Sequence, residues 1–129
     1  MNLLQYPNVP KLWGTEIWLV NNDQYCAKFL IINPGYQCSL HMHPVKKETF
    51  FVMTGDVVLE TGYKNDAGKV IGTTQEVLNA GDSRTILPGE YHRFKSATPE
   101  QAVILEISTT HDDADVVRLE DSRSTTDSE

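Results

Sequence analysis

Apolar residues come in short runs along this chain, separated by Gly, Asn, Asp and Pro, and no run keeps a helical period for three turns. The runs predict strands over 24–32 (QYCAKFLII), 35–43 (GYQCSLHMH), 49–53 (TFFVM), 57–61 (VVLET), 75–79 (QEVLN), 83–87 (SRTIL), 91–95 (YHRFK) and 102–108 (AVILEIS). Asn33-Pro34-Gly35 is a strong turn between the first two. Thr54-Gly55-Asp56 predicts a hairpin between 49–53 and 57–61, and YKNDAGK (63–69) a polar loop. Residues 111–121 suit a short helix or a last strand. Strands at this spacing predict an all-β fold, a small antiparallel barrel or jelly roll.

The chain has 129 residues, enough for one domain with one hydrophobic core. Its formal net charge of -7 and the lack of a basic stripe argue against a nucleic-acid partner. No apolar run approaches a membrane span, and MNLLQYPNVPKLWG lacks the charged start and apolar centre of a signal peptide. Cys26 and Cys38 form neither a disulfide framework nor a CxxC pair and read as packing residues. The expectation is a soluble cytoplasmic protein. Seven of the 18 acids and two of the 11 basic residues follow Thr110, so the charge is concentrated at the end. This divides the chain into a single domain over 1–110, an extension over 111–121 and a disordered acidic tail over 122–129.

The chemistry sits in HMHPVKKETF (41–50). Residues two apart on a strand face the same side, so His41 and His43 converge, either on an ion or as polar residues of an ordinary strand. Glu48 lies an odd offset beyond His43, which on one continuous strand would turn it to the opposite face. Proline interrupts a ladder, so the chain is expected to turn over Pro44 to Lys47, with Glu48 opening the next strand. His92, just past Pro88-Gly89, is a fourth candidate. Three imidazoles and one carboxylate suit one divalent transition metal (Zn, Mn, Fe, Co or Ni) and leave coordination positions open. His111 lies in the acidic end segment and reads as a surface residue.

With these residues in view, the chain resembles the cupins. Their first motif, G-x5-HxH-x4-E-x6-G, is met by Gly35, His41, His43, Glu48 and Gly55. Their second, G-x5-PxGxxH-x3-N, is met with changes by Gly81, Pro88, Gly89 and His92, with Ser96 at the last position. The resemblance covers roughly residues 25–107 and implies a cupin-type antiparallel β-barrel (a double-stranded β-helix) with His41, His43, Glu48 and His92 as metal ligands. KLWGTEIWLVNN (11–22), SLHMHPVKKE (39–48) and EIST with DADVVRLED (106–121) are similar to the cupin domains of mannose-6-phosphate isomerases. The His-x-His with Lys46 also resembles small sugar-isomerase cupins of the D-lyxose isomerase kind.

The resemblance implies a metal-dependent isomerase or epimerase acting on a sugar or sugar phosphate through an enediol. Two residues are candidates for the proton transfer and substrate contact. Glu106 interrupts the apolar run AVILEIS, either facing a polar cavity or ending the strand in solvent. Lys46 lies in the turn beside the ligands, either holding a sugar oxygen or phosphate or standing solvated. Lys47 is expected in solvent, and Arg93, next to His92, on the other face. Tyr25, Phe29 and Phe50 are cavity-lining or core aromatics, and Trp13 and Trp18 packing anchors. Related cupins are commonly dimers, and pairing with a second copy hides sheet edges, so a homodimer is expected. A non-haem iron dioxygenase and a non-catalytic sugar-binding domain are the competing readings. The polarity of the cavity discriminates among the three.

Overall fold

The structure, a computed structural model, describes residues 2–125. It is all-β: β1 (Asn8–Lys11), β2 (Gly14–Asn21), β3 (Cys26–Ile32), β4 (Tyr36–Gln37), β5 (Leu40–Met42), β6 (Glu48–Thr54), β7 (Val57–Lys64), β8 (Val70–Leu78), β9 (Ser83–Ile86), β10 (Tyr91–Ser96), β11 (Ala102–Ser108), β12 (Val117–Glu120) and β13 (Arg123–Ser124). One antiparallel sheet runs β1-β2-β3-β11-β6-β9. In the other, β10 pairs with β7 on one side and with β5 and β4 on the other. β8 extends this sheet beyond β7, and β12 and β13 extend it beyond β5 and β4. No helix among the described residues is long and apolar enough to cross a membrane.

The inward face changes polarity along each central strand, and this places the site. β3 alternates strictly, burying Cys26, Lys28, Leu30 and Ile32, and β11 buries Ala102, Ile104, Glu106 and Ser108. Antiparallel register aligns like with like: Ile32 opposes Ala102, Leu30 opposes Ile104, and Lys28 opposes Glu106. On the other side of β11, Ile104 opposes Val52, Glu106 opposes Phe50, and Ser108 opposes Glu48. One end of the barrel is therefore an apolar core of Leu30, Ile32, Val52, Val57, Leu59, Ile86 and Ile104. The other end collects buried charge, which is costly unless paired or liganded.

Three local expectations change. The turn at Thr54-Gly55-Asp56 does not close a hairpin: β6 pairs with β11 and β9, and β7 with β10 and β8, so the chain crosses between sheets there. Gly55 serves this corner, since it holds φ 75° and a Cβ would lie 3.0 Å from Ala102 Cα. The polar stretch 63–69 is only a short turn, because β7 continues to Lys64 and β8 begins at Val70. Of the two forms expected for 111–121 the chain takes the strand, whereas Arg123–Ser124 pairs with β4 where a solvated tail was expected. Residues 126–129 of that tail lie outside the described residues.

Candidate metal centre and its cavity

His41 lies on β5 and His92 on β10, directly opposite each other in the ladder. His43 follows the end of β5, the chain bends over Pro44 and Val45, and Glu48 is the first residue of β6. The parity difficulty is resolved at Pro44. One ring nitrogen from each of His41, His43 and His92 lies within 4.8 Å of the others. Glu48, 2% exposed, touches two of the three: its Oε1 is 3.0 Å from His92 Nε2, and its Oε2 is 3.6 Å from His43 Nε2.

The backbone sets the tautomer of every ring. Nδ1–H of His41 donates to Ser39 O at 2.8 Å, that of His43 to Asp115 O at 2.6 Å, and that of His92 to Glu90 O at 3.1 Å. A carbonyl only accepts, so each neutral ring carries its lone pair on Nε2. These are the outer partners that metal-binding histidines usually have. Two acceptors, His92 Nε2 and Glu48 Oε1, then face each other across 3.0 Å, and among the described residues neither His92 Nε2 nor Glu48 Oε2 has a hydrogen-bond partner. A cation between them removes that conflict. The donor set thus fits a divalent transition metal.

Burial favours neutral rings at His41 and His43, and Glu48 is held as a carboxylate. Burial, then the neighbouring His92 and His43, holds His41 well below its usual range. Burial lowers His43 to about 4, against the pull of Glu48. Burial alone would raise Glu48, but His92, Lys46 and His43 outweigh it and hold the carboxyl well below the ordinary range. A pH dependence follows for chelator-treated protein. Between pH 6.5 and about 4 the unfolded chain takes up a proton at His43 and the folded protein does not, so stability falls as pH falls. The loss from His43 is about 3 kcal/mol, and His41 adds in the same direction. Urea unfolding of wild type against His43→Ala across this range measures it, and parallel profiles would contradict it.

Lys46 and Glu106 meet next to this group. Lys46 Nζ, on a residue 3% exposed, is 3.3 Å from Glu48 Oε2, 3.3 Å from Glu106 Oε2 and 3.1 Å from His111 Nδ1. Glu106 is 5% exposed and lines the cavity, so it does not end the strand in solvent. Burial, then Glu48, raises its pKa, opposed by Lys46 and Lys28. Burial would lower Lys46, but Glu106 and Glu48 reverse this, so it stays an ammonium. His111 is not the surface residue expected. It accepts from Lys46, donates Nε2–H to Asp113 Oδ1 at 2.7 Å, and packs edge-on to Trp18 at 5.2 Å.

A family model for the Cupin domain matches residues 28–108, from Lys28 through all four candidate ligands to Ser108. The chain belongs to the cupin domain family. This cupin is 35% identical to the D-lyxose/D-mannose isomerase of Thermosediminibacter oceani, over 73% of this chain and 61% of that relative. It therefore spans about three-fifths of that relative's length. Among solved structures it is similar to the capsular polysaccharide assembling protein CapF from Staphylococcus aureus, with a TM-score of 0.77 at 17% identity, over 89% of this chain and 34% of that one. It is also similar to an uncharacterized conserved protein with a double-stranded beta-helix domain from Klebsiella pneumoniae, with a TM-score of 0.69 at 18% identity, over 93% and 96% of the two chains. At those identities the two structures share the fold.

The cupin's cavity measures about 500 Å³ and opens beside the three histidines. Phe50 lines it, as do Trp13 and Trp18, whereas Tyr25 is exposed and Phe29 is not part of the wall. Arg93 faces away and binds Glu60 and Glu120, the latter anchoring β12. Lys47 is exposed. Cys38 reaches the wall, but burial pushes its thiol up to about 12, so it is unreactive near neutral pH.

Sequence reasoning missed Lys28, Glu16 and Asp115. Asp115 fixes the ligand turn twice: its carbonyl accepts from His43, and its carboxylate accepts the backbone N–H of Val45 and Lys46 at 2.9 Å each. No local signal marks it, because it acts across 69 to 72 residues. Lys28 had a signal, its inward parity in CAKFLII between Cys26 and Leu30.

Proposed function

We propose that this cupin is a metal-dependent sugar isomerase working through an enediol. His41, His43, Glu48 and His92 would hold one divalent transition metal, and Glu106 and Lys46 would serve the proton transfer. The observation that carries the reading is the buried Glu106 carboxylate. It lines the same cavity as the three-histidine group and is held 3.3 Å from Lys46. The sugar-isomerase name of the Thermosediminibacter oceani relative supports the substrate class.

A metal bound at this centre supplies Lewis-acid polarisation of the sugar's carbonyl and adjacent hydroxyl. The chain's own residues do the rest. Glu106 removes the proton from the carbon beside the carbonyl, and the electron pair moves into a carbon–carbon double bond as the carbonyl oxygen gains a proton. Glu106 then returns its proton to the former carbonyl carbon, and the neighbouring hydroxyl gives up its own, so no redox equivalent is consumed. Its raised pKa brings Glu106 closer to the working pH as both base and acid. Lys46 keeps a positive charge next to it in both states. The wall also carries Glu16, Lys28 and Ser39, more polar groups than an aromatic or diketone substrate needs.

Metal-loaded protein should interconvert at least one aldose–ketose pair in a panel of free sugars and sugar phosphates, with activity lost on chelation and restored by metal. Failure of loaded protein on the whole panel would overturn the reading.

A further inference from the structure

The two lysines buried at this cavity are satisfied unequally. An ammonium has three donors, and Lys46 is engaged by three groups: hydrogen bonds to Glu106 Oε2 at 3.3 Å and His111 Nδ1 at 3.1 Å, and an ion pair with Glu48 Oε2 at 3.3 Å. Lys28 is buried at least as deeply, 1% exposed, and also lines the cavity. Its one hydrogen bond among the described residues runs to Glu16 Oε1 at 3.5 Å, longer than an ordinary N–H···O contact. That oxygen already accepts Trp18 Nε1–H at 2.9 Å. Lys28 Nζ otherwise lies 4.2 Å over the Trp18 ring. Its charge is compensated, but its capacity to donate is used only in part.

The register places this residue beside Glu106 in the cavity wall. Trp18 on β2 opposes Lys28 on β3, Lys28 opposes Glu106 on β11, and Glu106 opposes Phe50 on β6. Burying an ammonium with unused donors is costly, and a ligand oxygen would offset that cost. Glu16 already balances the charge, and Glu106 directly opposite adds another carboxylate. A phosphate dianion would meet that negative field, whereas an uncharged hydroxyl accepts from the ammonium without it.

We propose that Lys28 is a specificity-determining residue that donates to a hydroxyl oxygen of an uncharged sugar lying between it and the three-histidine group. This rests on the sugar-isomerase reading. The side chain contacts a part of the substrate that does not react, so it acts through binding more than through the chemical step.

The test compares metal-loaded wild type, Lys28→Met and Lys28→Arg on free sugars, their phosphates and a series of monodeoxy analogues. Bound metal and thermal melting report whether each variant folds. Lys28→Met is expected to raise KM for the free sugar about tenfold or more, with a much smaller change in kcat, and Lys28→Arg to recover part of the loss. For one deoxy analogue, wild type should lose as much as the variant does, and Lys28→Met should lose nothing further. An unchanged KM in folded Lys28→Met, or an equal further loss on every analogue, overturns the proposal and leaves the isomerase reading standing. If wild type turns over no sugar, calorimetry with the same sugars still decides. Binding weakened by Lys28→Met upholds the hydroxyl contact while the isomerase reading fails. Wild type that binds no uncharged sugar overturns both.

Discussion

Replacing His43 by Ala should lower affinity for a divalent transition metal by well over about a hundredfold. Changing only the outer hydrogen-bond partner of a metal-binding histidine costs about 10–100-fold, so deleting the ring costs more. The position makes the effect large. His43 Nε2 lies 3.6 Å from Glu48 Oε2, and its Nδ1–H is fixed on Asp115 O at 2.6 Å, so the lone pair is aimed before any metal arrives. Without the ring, Glu48 Oε2 keeps Lys46 at 3.3 Å as its ion-pair partner among the described residues. Elemental analysis of protein purified without chelators, followed by a competition titration, measures the loss. A folding control comes with the same variant. Losing a histidine buried with a pKa of about 4 should flatten the fall in stability between pH 6.5 and 4. Full metal retention would sink the ligand assignment.

What could be read from the sequence was local or periodic. Pro44 and the odd offset of Glu48 lie within one turn, and that turn is where the strands break. Glu106 was visible because a carboxylate in an apolar strand demands a reason. Lys28 has the same inward parity in CAKFLII, but a lone lysine in a strand reads equally well as a solvated side chain, and only the register with Glu106 separates the two. Thr54-Gly55-Asp56 has the composition of a hairpin turn and also of a corner between sheets. The choice is made by the pairing of β6 with β11, some fifty residues away. His111 and Asp115 reach the site because β12 pairs with β5 and Arg93 holds Glu120 at 2.6 Å. Composition marks that extension as acidic and solvated, and nothing in it announces the pairing.

Glu106→Gln should lower kcat by about 10²–10⁴-fold while metal content stays at the wild-type level. The amide keeps the shape and can still accept from Lys46, but it can neither remove nor return a proton. Glu106 does not touch the histidines as Glu48 does, so the metal centre should survive. Burial, then Glu48, raises the Glu106 pKa, so the folded protein holds that proton to higher pH than the unfolded chain does. Ionising it therefore costs stability as pH rises above the unfolded value, and a neutral amide is spared that cost. Lys46 keeps Glu48 Oε2 at 3.3 Å as its ionic partner. The variant should accordingly melt no lower than wild type at neutral pH while being nearly inactive, which separates a catalytic role from a structural one. The acidic limb of the kcat/KM profile, set in wild type by this carboxyl, should disappear from the residual activity. A Glu106→Gln protein that turned over sugar within about tenfold of wild type would remove Glu106 from the proton transfer and leave only its pairing with Lys46.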